Sequence, residues 1–363
     1  MPKDQPTTTD SEALAELSDL LPSWAAALGF QQLGVADTQL GEHSRRLEAW
    51  LNRGRHGTMD YMARNASLRA QPAELQPGTL RVISVRMDYL TRAQTPLDNS
   101  DRAYVARYAL GRDYHKVLRG RLKKLLARIE DWVTEHEVRY AGSRLFTDSA
   151  PVLEKALAAK AGLGWIGKHT LLINQEAGSW FFLGEILTSL ALPVAKDRQQ
   201  NRCGSCSACM DICPTGAIVG PYELDARKCI AYLTIEQKGS IPKPLRRPIG
   251  NRIFGCDDCQ VVCPWNRYAA YTGETDFTPR QRLDTATLLD LFGWTAADFN
   301  ERSAGSAIRR AGYDGWLRNI AVALGNAPAN QAVVAALAMR RGDASPLVRE
   351  HIDWALAEQR RKQ

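Results

Sequence analysis

The chain has 363 residues, room for two or three packed units at ~100–200 residues each. Hydrophobic residues make up 45% and charged residues 24%, which excludes a disordered, collagenous or coiled-coil protein. A net charge of +7 permits a polyanionic partner without requiring one.

Residues 1–10 read as a polar tail without the apolar core of a secretion signal, so the expected location is cytoplasmic. From Ser11 to Leu28, the apolar positions Leu14, Leu17, Leu21 and Leu28 predict a helix, with Pro22 as a point of interruption. Thr79 to Met87, rich in Val and Ile behind Pro77-Gly78, predicts a strand. Arg102 to Glu130 predicts a basic helix: from Arg102 to Ile129 nine Lys or Arg face the single acid Asp113. Val117, Leu118, Leu122, Leu125, Leu126 and Ile129 give that helix a stripe to bury. Short strands at 144–147, 170–174 and 180–187 surround a helix that starts at Pro151. Because these strands do not alternate regularly with helices, the fold class is α+β. Trp180 to Val194 is the most apolar run, yet Glu185 interrupts it short of the ~18 residues a membrane span needs, so no membrane association is expected. Beyond residue 264 the composition turns to Ala, Leu and Arg, and helices are expected to the end. Residues 317–324 and 348–356 resemble each other about 31 positions apart, which fits either stacked helical repeats or a plain helical cap.

All eight cysteines fall within 61 residues: Cys203, Cys206, Cys209, Cys213, Cys229, Cys256, Cys259 and Cys263. A long intracellular chain has little use for a disulfide framework, so the clustering points to metal. Cys203-x-x-Cys206-x-x-Cys209-x-x-x-Cys213-Pro214 is the run with which bacterial ferredoxins hold a 4Fe-4S cluster, its fourth thiolate going to a neighbouring cluster. Cys256-x-x-Cys259-x-x-x-Cys263-Pro264 repeats the ending, with Ile253 in place of a first cysteine and Cys229 left to supply the missing thiolate. Crosswise assignment gives Cys203, Cys206, Cys209 and Cys263 to one cluster, and Cys213, Cys229, Cys256 and Cys259 to the other. Zinc is the alternative, although its four-cysteine sites typically come from two separated Cys-x-x-Cys knuckles. Two adjacent clusters exist to move electrons singly, which places a reduction in the first 195 residues. Ala161-Gly-Leu-Gly-Trp-Ile-Gly167 approaches a dinucleotide fingerprint but follows a helix rather than a strand, so it is weak support for a nucleotide site.

Three stretches together carry a family resemblance. They are Phe146-Thr-Asp-Ser-Ala-Pro-Val-Leu-Glu-Lys155 leading into Ala161–Lys168, the cysteine segment, and Ile249-Gly-Asn-Arg-Ile-Phe-Gly-Cys-Asp-Asp-Cys259. Over about residues 10 to 330 the chain resembles the epoxyqueuosine reductases. These are cobalamin-dependent enzymes with two 4Fe-4S clusters that complete queuosine, in the wobble position of certain tRNAs, by removing an epoxide oxygen. The resemblance implies a nitroreductase-like cobalamin-binding domain at 1–195, a ferredoxin-type two-cluster domain at 196–270 and a C-terminal helical, HEAT-like cap at 271–363. Cobalamin is then reduced to cob(I)alamin through the clusters, and Asp148 is the general acid, held protonated by burial. Without the resemblance, Asp148 would read as a helix cap ahead of Pro151. Cobalamin contacts are implied at Arg69, Ala106, Leu172 and Leu183, with the cofactor base-off and without a histidine ligand. His115, in Asp113-Tyr-His-Lys-Val-Leu-Arg-Gly120, is read as a polar helix residue.

The expected partners are tRNA and an external electron donor of flavodoxin or ferredoxin type. Lys238, Lys243, Arg246, Arg247 and Arg252 are the expected phosphate contacts, on a segment that Pro242, Pro244 and Pro248 would keep extended. The alternative functions are a dehalogenase-like cobalamin reductase of small molecules and a non-catalytic ferredoxin-type electron-transfer protein.

Overall fold

A computed structural model describes residues 8–93 and 101–363, organised around a four-stranded antiparallel sheet. Its strands are β1 (Gln32–Asp37), β2 (Arg81–Asp88), β3 (Ser143–Phe146) and β4 (Phe181–Thr188), in the spatial order β1-β2-β4-β3. Both central strands are buried almost end to end, as apolar runs covered on both faces must be. On one face α1 (Thr8–Ala27) and α2 (Tyr114–Glu135) bring Leu17, Leu21, Leu118 and Leu122 into one core with Ile83, Val85 and Ile186. Gly184 lets α2 seat there, because a Cβ at that position would lie 2.8 Å from Leu122 Cδ1. On the other face α3 (Glu154–Lys160) places Ala156 and Leu157 against Val82, Phe146 and Leu187. Strand alternation puts Glu185, paired with Ser84, on this same face.

Several elements differ from expectation. Pro22 lies inside α1 without ending it, since Leu17, Leu21 and Ala25 are buried on either side of it. Residues 102–113 are not helical: Tyr104–Val105 pairs in parallel with Arg252–Phe254, and a 3-10 turn follows at Arg107–Ala109. The helix begins only after Asp113, whose side chain accepts the His115 N–H at 3.1 Å and caps it. The helix expected from Pro151 starts at Glu154, and the strand expected at 170–174 shrinks to Leu172–Ile173.

The cysteine-bearing segment is fastened to the 104–109 stretch. Asp257, 2% exposed, accepts the Tyr104 hydroxyl and the Arg107 N–H, each at 2.8 Å. Within this segment α4 (Ala208–Asp211) and α6 (Asp258–Val261) lie between equivalent cysteines and pack on each other. Between them Lys243–Ile249 forms α5 rather than an extended loop, because Pro244 falls in the first turn, where no backbone N–H is needed. The C-terminal helices α7 (Tyr313–Asn326), α8 (Gln331–Arg341) and α9 (Pro346–Lys362) share one core with Ala103, Val105, Leu110, Ile253 and Phe254. Among the described residues no helix is long and apolar enough to cross a membrane.

Candidate active site

Two cavities separate the cysteines into two groups of four. The larger, about 470 Å³, is walled by Tyr89, Leu172, Phe181, Phe182 and Leu183 and bordered by Cys213, Cys229, Cys256 and Cys259. The smaller, about 200 Å³, is lined by Cys203, Cys206, Cys209 and Cys263. His169 borders both. All eight thiols are free. Burial, and after it Cys203, Cys263 and Cys206, push the Cys209 thiol up to about 11. Burial and then Cys229 raise Cys259, and Cys209 of the other group also bears on it, so the two groups adjoin. Iron overcomes such shifts by binding the thiolate directly. Among the described residues no three His, Cys, Asp or Glu are gathered closely enough for one metal ion. A four-iron cube needs sulfurs spread around a void, whereas zinc draws them to ~2.3 Å from a single point.

Asp148 reaches the larger cavity from the loop after β3. Its φ is +53°, a left-handed conformation that Asp adopts more readily than most residues. The Asp148 N–H donates to Glu154 at the start of α3. Asp148 does not cap that helix, which begins behind Leu153 without a side-chain cap. Asp148 Oδ2 accepts the Tyr114 hydroxyl and lies 3.2 Å from His115 Nε2, while His115 Nδ1 is 2.8 Å from Asp113 Oδ1. The Tyr114 ring stacks on His115 and on Phe182, with centroids 4.1 and 4.2 Å away, so hydroxyl and imidazole are held together.

Burial works against a charge on His115, but its bonds to Asp113 and Asp148 push it up to about 9. Burial likewise opposes a charge on Asp148, yet His115 and Tyr114 hold it below the usual carboxylate range. At neutral pH the site is therefore an imidazolium between two carboxylates. The proton resides on His115, which corrects the expectation that burial keeps Asp148 protonated. A buried carboxyl pair stands behind this array. Burial, then repulsion from Asp148, raises Glu154 to about 7, and burial raises Glu185 well above its ordinary value. As two carboxylates they hold no donor, and both Glu185 oxygens would be orphaned. With a proton on Glu185, its hydroxyl donates to Glu154.

Comparison with known proteins agrees with this geometry. Residues 69–149 match the family model "Epoxyqueuosine reductase QueG, DUF1730", and residues 202–266 match a 4Fe-4S double cluster binding domain. An epoxyqueuosine reductase of Pseudomonas aeruginosa is 59% identical over 345 residues, covering 94% of each chain. One from Xanthomonas campestris is 57% identical over 338 residues, 92% of this chain and 94% of the relative. The chain belongs to the epoxyqueuosine reductase family. It is an oxidoreductase, so the electron-transfer adaptor falls away. Among solved structures, an epoxyqueuosine reductase with an epoxyqueuosine-modified tRNA-Tyr stem loop superposes with a TM-score of 0.85 at 27% identity, over 95% of this chain and 90% of that one.

Measured against this family's expected site, the structure brings Asp148, Leu172 and Leu183 to the larger cavity with four of the cysteines. Arg69 is buried behind the Asp148 loop, its Nη1 3.5 Å from the Ala150 carbonyl. Ala106 lies outside the lining of the larger cavity: it is 1% exposed, and its N–H and carbonyl bond Phe254 and Ala109. It packs under Gly255, whose φ of +72° and closeness to Ala106 leave no room for a side chain. Thus Ala106 seats the cysteine loop.

In the basic segment the structure departs from expectation at Arg246, which is buried, and shows acid partners for others. Arg246, 1% exposed, pairs with Glu350, Arg247 with Glu358 at 2.9 Å and Arg252 with Asp258 at 2.6 Å. Lys238 donates to the carbonyls of Ile235 and Arg310. These cations tie the segment to the rest of the fold, and only Lys243 among the five is exposed without a partner among the described residues. Sequence reasoning missed Tyr114, His115, Glu154 and Glu185. Asp-x-His at a helix start was the available signal for His115; Glu185 signalled itself as the one charge in an apolar strand.

Proposed function

We infer that this oxidoreductase removes the epoxide oxygen of epoxyqueuosine in the wobble position of tRNA, at the cavity beside Asp148. What carries the assignment is a carboxylate, joined to an imidazolium, facing an apolar cavity bordered by four cysteines. The cysteines divide into Cys203, Cys206, Cys209 and Cys263 for one 4Fe-4S cluster and Cys213, Cys229, Cys256 and Cys259 for the other. Three units follow, at 1–195, 196–270 and 271–363; the last draws residues 103–110 into its core and is not expected to fold alone.

The larger cavity fits cobalamin. Its aromatic and aliphatic walls suit a broad macrocycle, and the buried His169 Nε2 has no partner to occupy it. His169 Nδ1 accepts the Leu171 N–H at 3.1 Å, which leaves Nε2 protonated and a donor, and His115 is held between two carboxylates. Neither imidazole is presented as a metal ligand, in keeping with a base-off cofactor held by Leu172, Leu183 and the aromatic wall. When bound, cobalamin supplies a strongly reducing metal centre.

Converting the epoxide to an alkene consumes two electrons and two protons and releases water. The oxygen leaves poorly as an alkoxide, so a proton must meet it. That proton starts on His115 Nε2, passes to Asp148 Oδ2 and is delivered from there to the departing oxygen. Asp113 keeps the imidazole aligned, and Tyr114 fixes the carboxylate. The modified base must be turned out of its stack to enter the cavity.

The test is anaerobic reconstitution with iron, sulfide and cobalamin, followed by turnover on epoxyqueuosine-containing tRNA. Stoichiometric corrinoid binding and formation of queuosine are expected. A protein that binds no corrinoid, or binds it and leaves the epoxide intact, would overturn the assignment.

A further inference from the structure

We propose that the face over Cys206 docks a negatively charged one-electron carrier protein, an inference that rests on reading Cys203, Cys206, Cys209 and Cys263 as ligands of an outer cluster. Of the eight cysteines only Cys206 is exposed, whereas the other group of four borders the cavity that holds Asp148. Electrons entering the molecule therefore meet the Cys206 group first.

The charges around that opening are of one sign. The smaller cavity is lined by Lys168, Arg202 and Arg267 and by no carboxylate. Lys168 Nζ donates to the carbonyls of Gly204 and Cys206, both at 2.7 Å, so it holds the loop with neutral acceptors and keeps its charge. Arg202 and Arg267 are exposed and have no carboxylate partner among the described residues. By contrast, Arg246, Arg247, Arg252 and Arg310 are each paired with an acid. The acid within the cysteine run, Asp211, is bonded to Ser207 at 2.6 Å. Two cations unopposed by any acid among the described residues thus stand beside the exposed cysteine.

The composition suits a brief protein contact. Tyr268, 44% exposed, lies beside Arg267, whose guanidinium sits 4.6 Å from the ring centroid. Ile212 and Val261, 47% and 45% exposed, extend from the packed pair α4 and α6. Arg and Tyr with scattered apolar groups are enriched at interface cores, and electron-transfer contacts need less than ~1,200 Å². RNA would also be drawn to cations, but a base seated here would have His169 and the cysteines between it and Asp148. Each encounter oxidises the carrier by one electron and reduces the outer cluster by one. Two encounters provide the two electrons that deoxygenation consumes.

The experiment uses the reconstituted holoenzyme and its Arg202→Glu/Arg267→Glu variant in anaerobic stopped flow, following bleaching of cluster absorbance. Reduced flavodoxin of net negative charge is the carrier, and propyl viologen sulfonate radical, a small monoanion, is a reductant without the carrier's extended acidic surface. For the wild type, the second-order rate with flavodoxin should fall as salt rises. The variant should react about ten- to hundredfold more slowly at low salt and lose that dependence, with viologen-driven bleaching and tRNA affinity unchanged. An unchanged flavodoxin rate and salt dependence would overturn the proposal, as would loss of tRNA affinity with carrier reduction intact. If the double reversal lowers iron content, Arg202→Gln/Arg267→Gln poses the same question with a smaller expected effect. Viologen-driven turnover on epoxyqueuosine tRNA separates the two assignments: its absence in the wild type defeats the functional one, while its presence with charge-independent flavodoxin reduction defeats only the docking one.

Discussion

Asp148→Asn isolates the proton from everything else Asp148 does. Asn is nearly isosteric and also tolerates the left-handed backbone that Asp148 adopts at φ +53°. The backbone N–H still donates to Glu154, and the Asn carbonyl oxygen still accepts from Tyr114. Loss of fold stability should accordingly be confined to the His115 pairing, about 1–2 kcal/mol for one charge-assisted hydrogen bond. The amide cannot relay a proton from His115 to oxygen, and it removes one of the two carboxylates that raise the imidazole. General acid catalysis contributes ~10²–10⁴-fold, or ~2.7–5.4 kcal/mol at ~1.36 kcal/mol per decade. An alkoxide-like leaving group places the loss toward the upper end. The assay is single-turnover conversion of epoxyqueuosine in tRNA by pre-reduced protein, with reduction of the metal centres followed separately. Histidine NMR of the oxidised protein should show His115 titrating below its wild-type position of about 9. A rate loss under about tenfold with normal metal reduction would refute Asp148 as proton donor, and an unmoved His115 would refute the pairing.

Four further outcomes are expected. His115 is raised from 6.5 to about 9, so the stability it contributes is complete below its unfolded value and is lost as pH rises through about 9. Activity should fall along the same limb, and His115→Gln should lower the rate at neutral pH and abolish that limb in a single-turnover pH profile. Glu154, raised from 4.5 to about 7, favours the fold while protonated, a contribution lost as pH rises through about 7. Glu185→Gln supplies an amide donor that needs no proton, so Tm should vary less between pH 5 and 8 than in the wild type. Arg246→Ala removes a buried guanidinium that bonds Ile241, Ser240 and Glu350, costing ~2–4 kcal/mol by urea denaturation, since Glu350 can rehydrate. Because Arg246 faces inward, the log–log salt slope of tRNA binding should not change by the ~0.7–0.9 expected of a lost phosphate contact. Finally, Cys229→Ser should reduce anaerobically reconstituted iron from about eight to about four per chain, because Ile253 offers no replacement thiolate.

What the sequence by itself determined was the part whose chemistry depends on local spacing. The two Cys-x-x-Cys runs, the orphan Cys229, the Asp148 loop and the buried stripe of α2 are all readable because a ligand motif or a helical period is written in consecutive residues. Even so, the same string did not say that Arg246 turns inward or that Arg247 and Arg252 are paired with acids. Their acids, Glu350, Glu358 and Asp258, are supplied mainly by a helix about a hundred positions away, and a charge looks the same in a sequence whether it is solvated or paired. The protonation of the site was likewise decided by tertiary structure. Asp148 lies 33 residues from His115 and Glu154 lies 31 from Glu185, and only the sheet and the two helices on its faces bring these groups together. Burial alone would raise Asp148; an imidazole 3.2 Å away and the Tyr114 hydroxyl reverse the direction, because a pKa responds to the groups across the cavity and not only to the neighbours along the chain.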